Sequence, residues 1–341
     1  MRGDFASTVS RGVASTCTSK VRMSLILPCL NEEAVLPVLF QRVTKAAEGW
    51  GVSWSAICVD DGSKDRTWEL LREQCQKDPR WTAIRFSRNF GHQMAVSAGL
   101  YHSAEADVVA VMDADLQDPP EELSRFIEKW KEGYEVVYAV RQRRKEHIFW
   151  RVTYWIYYRG LAKVVSFPMP LDSGDFCLMD RKVVATLNAM PERSRFVRGL
   201  RAWSGFRQIG VPYERHARTR GESKYTFSKL LKLAADGVFN FSGLPLRLAS
   251  HFGFWVSAIA LAGVLFTLAQ RLFKETFKRW GLEPVPGFAT IVISILFLGG
   301  VQLICLGIVG EYLVRIFEEV KRRPLWIVAE ACGVDSRAPL L

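Results

Sequence analysis

The chain has 341 residues, 49% of them apolar, a net charge of +11 and seven cysteines. That length and apolar content exclude a disordered tail or a small disulfide-stapled scaffold and allow two or three domains with a well-buried core. Cys17, Cys29, Cys58, Cys75, Cys177, Cys305 and Cys332 are scattered without a CxxC pair, so they read as reduced packing residues and not as a zinc or disulfide framework.

The first twenty residues are polar, rich in Ser and Thr, and lack the apolar stretch of a signal peptide, so disorder is expected there. Few acids and scattered Arg also fit an organelle transit segment. From Met23 the pattern alternates strand and helix. MSLILP precedes the helical period of EEAVLPVLFQRVTKAAE, and SAICVD precedes a helix around DRTWELLREQCQ. TAIRFS, a helix through GHQMAVSAGLYHSA, the strand DVVAVMD, a helix from Pro119 to about Lys131 and the strand EVVYAV follow. The fold class is therefore α/β with a mostly parallel sheet. Neither GxGxxG after the first strand nor GxxxxGK[ST] anywhere signals a dinucleotide fold or a P-loop.

Beyond Arg144 the alternation loosens. HIFWRVTYWIYYRGLAKVV sets Trp150, Tyr154, Trp155, Tyr157 and Tyr158 beside Arg151, Arg159 and Lys163, which fits an interfacial helix or an ordinary core helix. A second amphipathic stretch, Tyr225 to Phe241, precedes the apolar runs HFGFWVSAIALAGVLFTLAQ and GFATIVISILFLGGVQLICLGIVG. Each run is long enough to cross about 30 Å of hydrocarbon as a helix, so two transmembrane helices are expected, over residues 247–271 and 284–312. The implied division is residues 1–20, a catalytic domain at 21–225, an amphipathic connection at 226–246, the two spans, and a basic tail at 313–341.

Two spans put the N-terminal domain and the tail on one side. Arg315, Lys321, Arg322 and Arg323 after the second run, and Lys224, Lys229, Lys232 and Arg247 before the first, assign that side to the cytoplasm. Arg271, Lys274, Lys278 and Arg279 in the intervening loop weaken the asymmetry. Because the basic residues gather near the apolar runs, anionic membrane lipid is a better partner for the charge than nucleic acid.

Two strand runs end in carboxylates: Asp60 and Asp61 after the second, and Asp113, Asp115 and Asp118 after the fourth. Ligands of open α/β sheets bind outside the carboxyl ends of the strands, so both clusters are expected to face one crevice. Oxygen donors of this kind suit Mg²⁺ or Mn²⁺ beside a diphosphate, although Asp and Ser also serve as plain helix caps.

LPCLNEE, VDDGSKDRT, RNFGHQ, DADLQDPPE, SGDFCLMDR and RGESKYTFSKLLKLAADG, in this order and spacing, resemble the GT-A glycosyltransferases of family 2, in the branch that makes polyprenyl-phosphate sugars. The bactoprenol glucosyltransferase type with two C-terminal transmembrane helices is the group most resembled, and dolichyl-phosphate mannose synthases share much of the pattern. The resemblance implies a GT-A nucleotide-sugar-binding domain in which Pro28, Asn31, Glu32, Asp60 and Asp61 line the uracil and ribose pocket. It implies Asp113, Asp115 and Gln117 as oxygen ligands of Mg²⁺ or Mn²⁺, with one of the two aspartates holding ribose as an alternative. Asp175 matches an acid that holds a sugar hydroxyl, or else a strand-end turn. Arg141 and Arg198 match positions near the active site, while Arg218, Arg220 and Lys224 lie on an expected lid.

The reaction implied is inverting transfer of one sugar from a nucleotide sugar, UDP-glucose, onto undecaprenyl phosphate, by a multi-pass enzyme of the cell (inner) membrane. GDP-mannose or UDP-N-acetylglucosamine is the alternative donor, and a non-catalytic membrane scaffold the alternative class. A homo-oligomer is left open. Processive synthases of the superfamily carry Gln-x-x-Arg-Trp, and the nearest string here, Arg198-Gly-Leu-Arg201-Ala-Trp203, departs from it, which favours a single transfer.

Overall fold

The computed structural model describes residues 21–141, 173–193, 195–214, 244–279 and 287–333. The expected amphipathic stretches, the expected lid with Arg218, Arg220 and Lys224, and the first twenty residues lie outside the described residues.

The five apolar runs of the first half form strands β1 (Arg22–Cys29), β2 (Ser53–Asp60), β3 (Trp81–Phe86), β4 (Val108–Val111) and β5 (Val136–Arg141). Helices α1 (Leu36–Ala47), α2 (Thr67–Lys77), α3 (His92–His102) and α4 (Leu123–Lys131) follow the first four in turn. Strands β6 (Ser173–Asp180) and β7 (Gln208–Tyr213) flank α5 (Arg181–Ala189) and α6 (Val197–Trp203). The sheet order is β7-β5-β6-β4-β1-β2-β3-β8. Strands β4, β1, β2 and β3 run parallel, as do β5 and β7, while β6 is antiparallel to both of its neighbours. Both faces are covered, so the central strands are buried almost throughout and read as continuous apolar runs. Leu36, Leu39, Phe40 and Val43 of α1 pack on one face; Val96 and Leu100 of α3 pack on the other. Gly99 lets α3 lie directly on β1, since a Cβ there would meet Ile26 Cγ2 at 2.3 Å.

The chain steps from β1 outward to β2 and β3, then returns to the other side of β1 for β4. That reversal is the switch point where such sheets open a crevice, and Pro28 helps open it. Ile26 O accepts Met112 N at 3.0 Å; two residues on, the same side of β1 presents Pro28, which has no N–H to continue the ladder.

The C-terminal third differs from the sequence expectation. Helix α7 (Leu244–Leu272) carries a shorter apolar stretch, Leu248–Gly263, and a brief α8 (Lys274–Arg279) follows. Helix α9 (Phe288–Val320) runs past residue 312, where the second span was expected to end. Its segment Phe297–Val320 is, among the described residues, the one helix long and apolar enough to cross a membrane. None of that stretch is buried against the protein, and Leu303 is 71% exposed, which is unlike a core helix. Residues 313–341 do not form only a basic tail. Their first residues finish α9, and strand β8 (Val328–Cys332) adds antiparallel to the free edge of β3. Covering that edge protects it from pairing with another chain. Trp326 is buried, stacks on Phe86 at 6.3 Å, and meets Tyr101 edge-on. At the foot of α9, Arg193 N donates to Glu319 Oε1 at 2.7 Å.

Candidate active site

Three loops meet at the carboxyl edge of the parallel strands. After β1, Asn31 adopts a positive φ of 56°, a conformation Asn tolerates better than most residues. Its amide donates to Ser63 Oγ and its Oδ1 accepts Lys64 N, both at 2.9 Å. Glu32 N donates to Thr67 Oγ1 at 2.8 Å. The LNEE and DGSKDRT segments are thus laced into one wall. Pro28 is buried behind it in β1, opposite Val59.

Asp60 ends β2 and Asp61 follows it, both buried, at 0% and 2% exposure. Asp60 Oδ1 accepts Ser63 N at 2.9 Å, and its Oδ2 faces Arg85 Nε at 3.5 Å. Asp61 accepts the amides of Phe90 at 2.6 Å and Gly91 at 3.0 Å, so it anchors the RNFGHQ loop to the sheet. Burial pushes both carboxyls upward, against the hydrogen bonds they receive. Gly62 permits this docking: its φ is +73°, and a Cβ there would lie 2.6 Å from Arg88 C.

After β4 the burial alternates. Asp113, Asp115 and Gln117 are half-buried, while Ala114, Leu116 and Asp118 point inward. Leu116 has a positive φ of 59°, a strained state for a branched residue. Gln117 N donates to Asp115 Oδ1 at 3.1 Å, closing the turn. Three oxygen-bearing side chains therefore stand on one side of one loop. Among the described residues, no three His, Cys, Asp or Glu side chains form a complete metal cage. Two carboxylates and an amide oxygen fit Mg²⁺ or Mn²⁺, which take few protein ligands and complete their shell with phosphate and water.

Asp175 reaches the same place because β6 is antiparallel, so its beginning lies at the carboxyl edge of β4. Continuing the Val111 to Cys177 pairing by two residues sets Asp175 across from Asp113. Arg198 at the start of α6 brackets Asp175, with Nη2 at 3.3 Å from Oδ2 and Nε at 3.4 Å from Oδ1. Gln93 Oε1 accepts Val197 N at 2.8 Å and fixes the start of that helix.

His92 was given no role from the sequence, and it stands between the two acids. Its Nε2 lies 3.4 Å from Asp175 Oδ2 and 3.7 Å from Asp113 Oδ1. Burial alone would lower its pKa, but the hydrogen bond to Asp175 and the charges of both aspartates lift it to about 9. The ring is 42% exposed, so solvent tempers the shift without reversing it. Burial would likewise raise the Asp175 pKa; Arg198 and His92 overcome that and hold it well below the usual carboxylate range. RNFGHQ was visible as a motif, but which of its side chains reaches the crevice depends on α3 beginning at His92.

Arg141 ends β5 opposite Tyr213, and its side chain lies outside the described residues. The site thus brings together Asp113, Asp115, Gln117, Asp175, Arg198 and His92, and sets Asp60, Asp61 and Asn31 in the adjoining wall.

Fold and site together define an α/β enzyme with carboxylates and cations gathered at the switch point of a mostly parallel sheet. Residues 24–187 match the model of glycosyl transferase family 2. The chain is 42% identical over 318 residues to the uncharacterized glycosyltransferase YkcC of Bacillus subtilis, covering 93% of this chain and 96% of that one. It is 37% identical over 313 residues to the bactoprenol glucosyl transferase of Shigella phage SfII, covering 91% and 98%. Glucosyl-3-phosphoglycerate synthase from Mycobacterium tuberculosis, solved with Mn²⁺ and uridine-diphosphate-glucose, is similar at 17% identity and a TM-score of 0.45, over 66% of this chain and 79% of that one. The chain belongs to glycosyltransferase family 2: it is a glycosyltransferase.

Proposed function

We propose that this enzyme transfers one glucose from UDP-glucose to a polyprenyl phosphate of the undecaprenyl type, at the membrane and with inversion at the anomeric carbon. Near full-length similarity to proteins named bactoprenol glucosyl transferase is the observation that carries the lipid acceptor and the sugar. The unburied apolar helix α9 supports a lipid substrate.

In this reading the wall built by Pro28, Asn31, Glu32, Asp60 and Asp61 receives the nucleoside. Asp60 and Asp61 are acceptors for base or ribose donors, and Asn31 holds the wall's two loops together. Asp113, Asp115 and Gln117 would hold Mg²⁺ or Mn²⁺, which when bound supplies Lewis-acid stabilisation of the departing diphosphate. Asp175 accepts a hydroxyl of the sugar and is kept ionised for that purpose by Arg198 and His92. The lipid phosphate is already an anion, so no strong base is needed. Its oxygen forms the new bond to the anomeric carbon as the bond from that carbon to the UDP oxygen breaks, and UDP leaves with the electron pair. Arg141, Arg198, Arg218 and Lys224 are assigned to the two phosphate groups, because guanidinium forks and an ammonium point charge suit phosphate oxygens. Positioning and fixed charge carry the rate.

Helices α7 and α9 are taken as two spans, with the catalytic domain and β8 both on the cytoplasmic side. The absence of Gln-x-x-Arg-Trp supports a single transfer. The deciding experiment incubates the purified enzyme with undecaprenyl phosphate and radiolabelled UDP- and GDP-sugars, with Mg²⁺, Mn²⁺ or chelator. Chelator-sensitive labelling of the lipid from UDP-glucose is expected. Labelling from GDP-mannose or UDP-N-acetylglucosamine would replace the donor, and no labelling from folded protein would remove the reading.

A further inference from the structure

The C-terminal strand reaches the nucleotide wall through one row of side chains. In the sheet register Asp60 pairs with Arg85, and Arg85 pairs with Glu330 of β8. Residues opposite one another on neighbouring strands project from the same face, with Cβ atoms roughly 5 Å apart, so the row reads acid, base, acid across three strands. The base is not shared equally. Arg85 Nη1 donates to Glu330 Oε1 at 3.0 Å, whereas its Nε stands 3.5 Å from Asp60 Oδ2. Glu330 is fixed from its other oxygen as well, since Oε2 accepts Trp68 Nε1 at 3.0 Å. Trp68 is itself buried in the first turn of α2, and the Arg85 guanidinium lies 5.8 Å from its ring.

Asp60 therefore has two unlike oxygens. Oδ1 is engaged by the Ser63 amide. Oδ2 is fully buried and accepts no hydrogen bond, although a cation faces it. A buried carboxylate oxygen in that state is costly unless a donor reaches it, and in the proposed reading that donor is an N–H of the nucleobase. Arg85 makes its shorter bond to Glu330, at 3.0 Å, and stands 3.5 Å from this oxygen.

We infer that Glu330 is a positioning residue for the donor nucleotide: by drawing Arg85 toward β8 it leaves the buried Asp60 Oδ2 without a hydrogen bond from the protein, an acceptor that the base takes up when it binds. The docking of β8 is a precondition. It rests on the pairing to β3, on Ser87 N donating to Ile327 O at 3.0 Å, and on Trp326 stacked against Phe86. Donor affinity thus depends on a strand that lies beyond the apolar helix α9.

This inference rests on the nucleotide reading of the Asp60 wall, and the test separates the two. UDP affinity is measured by calorimetry on the full chain in detergent for wild type, Asp60→Asn, Glu330→Ala, Glu330→Gln and the double variant Glu330→Ala/Arg85→Met, each checked for cooperative unfolding. Glu330→Ala is expected to weaken UDP by between about two- and tenfold, the range of one lost hydrogen bond. It should raise the KM for the donor sugar while leaving kcat and the KM for the lipid within about twofold. Removing Arg85 as well should restore most of the affinity, because the competing cation is gone. Should β8 act only as a structural edge, the double variant would be no better than Glu330→Ala, and that outcome overturns the inference. Wild-type affinity in both Glu330→Ala and Glu330→Gln, with Asp60→Asn weakened, overturns it too. If Asp60→Asn binds UDP as wild type does, the nucleotide reading of the wall fails and takes the inference with it. If Glu330→Ala does not fold, Glu330→Gln carries the comparison with the same expected direction.

Discussion

Tyr213, the last residue of β7, donates a 2.5 Å hydrogen bond to Asp118 in the loop that carries Asp113 and Asp115. Both residues are buried, at 3% and 2% exposure. The bond ties the loop after β4, with its strained Leu116, to the β7 edge of the sheet. Tyr213→Phe should lower unfolding stability by about 1–3 kcal/mol, the penalty for depriving a buried acceptor of a donor. Denaturant unfolding followed by tryptophan fluorescence measures it. A change within about 0.5 kcal/mol would show that the loop is held elsewhere.

Asp115→Asn keeps the side chain's shape and removes its charge. If Asp115 is a metal ligand, turnover at saturating donor should fall roughly 100-fold, corresponding to about 3 kcal/mol of transition-state stabilisation. The Mg²⁺ or Mn²⁺ concentration for half-maximal rate should rise as well. Unchanged turnover and metal dependence would remove Asp115 from the ligand set.

Asp61 gives a prediction of sign with pH. Burial raises its folded pKa above the unfolded value of about 3.9. The folded state thus holds this proton more tightly than the unfolded chain. Its favourable contribution is fully present below the unfolded pKa and is lost as pH rises through the folded one. Asp61→Asn can still accept the Phe90 and Gly91 amides but does not titrate. The variant should therefore gain stability relative to wild type on going from pH 4 to pH 7. Parallel thermal-unfolding series report the difference, and a flat or falling difference would refute the assignment.

Gly62→Ala tests the contact between the two site loops. A Cβ there meets backbone atoms of Arg88 and Asn89 at 2.6 and 2.8 Å, on a residue with φ of +73°. Backbone cannot swing aside as a side chain can, so the loss should exceed the roughly 1 kcal/mol of an unstrained Gly substitution. UDP binding should weaken as the RNFGHQ loop is pushed from Asp61. Native stability in Gly62→Ala would show that the loops move apart freely.

The parallel core was legible because buried strands write themselves as unbroken apolar runs: Val108–Val111 and Ser53–Asp60 end where the carboxylates begin. Asp175 was legible only as part of a motif, since its approach to Asp113 depends on β6 running against β4, a relation no local pattern encodes. His92 was silent because a histidine opening a helix has no distinctive spacing. Strand β8 was hidden for another reason. Val328–Cys332 is short, two of its five residues are alanine, and it follows a basic stretch that reads as solvated; only the vacant edge of β3 and the socket for Trp326 make it a strand. The arginines at 218 and 220 remain assigned by motif alone.

Only residues 321–327 separate the end of α9 from β8. Fully stretched, such a segment spans about 25 Å. With β8 woven into the sheet, the catalytic domain hangs on a short leash. If α9 is embedded in a bilayer, the enzyme cannot drift into the bulk between turnovers. In the proposed reading it would stay in a thin slab above the lipid headgroups, where a prenyl phosphate arrives by lateral diffusion and the search for the acceptor becomes two-dimensional.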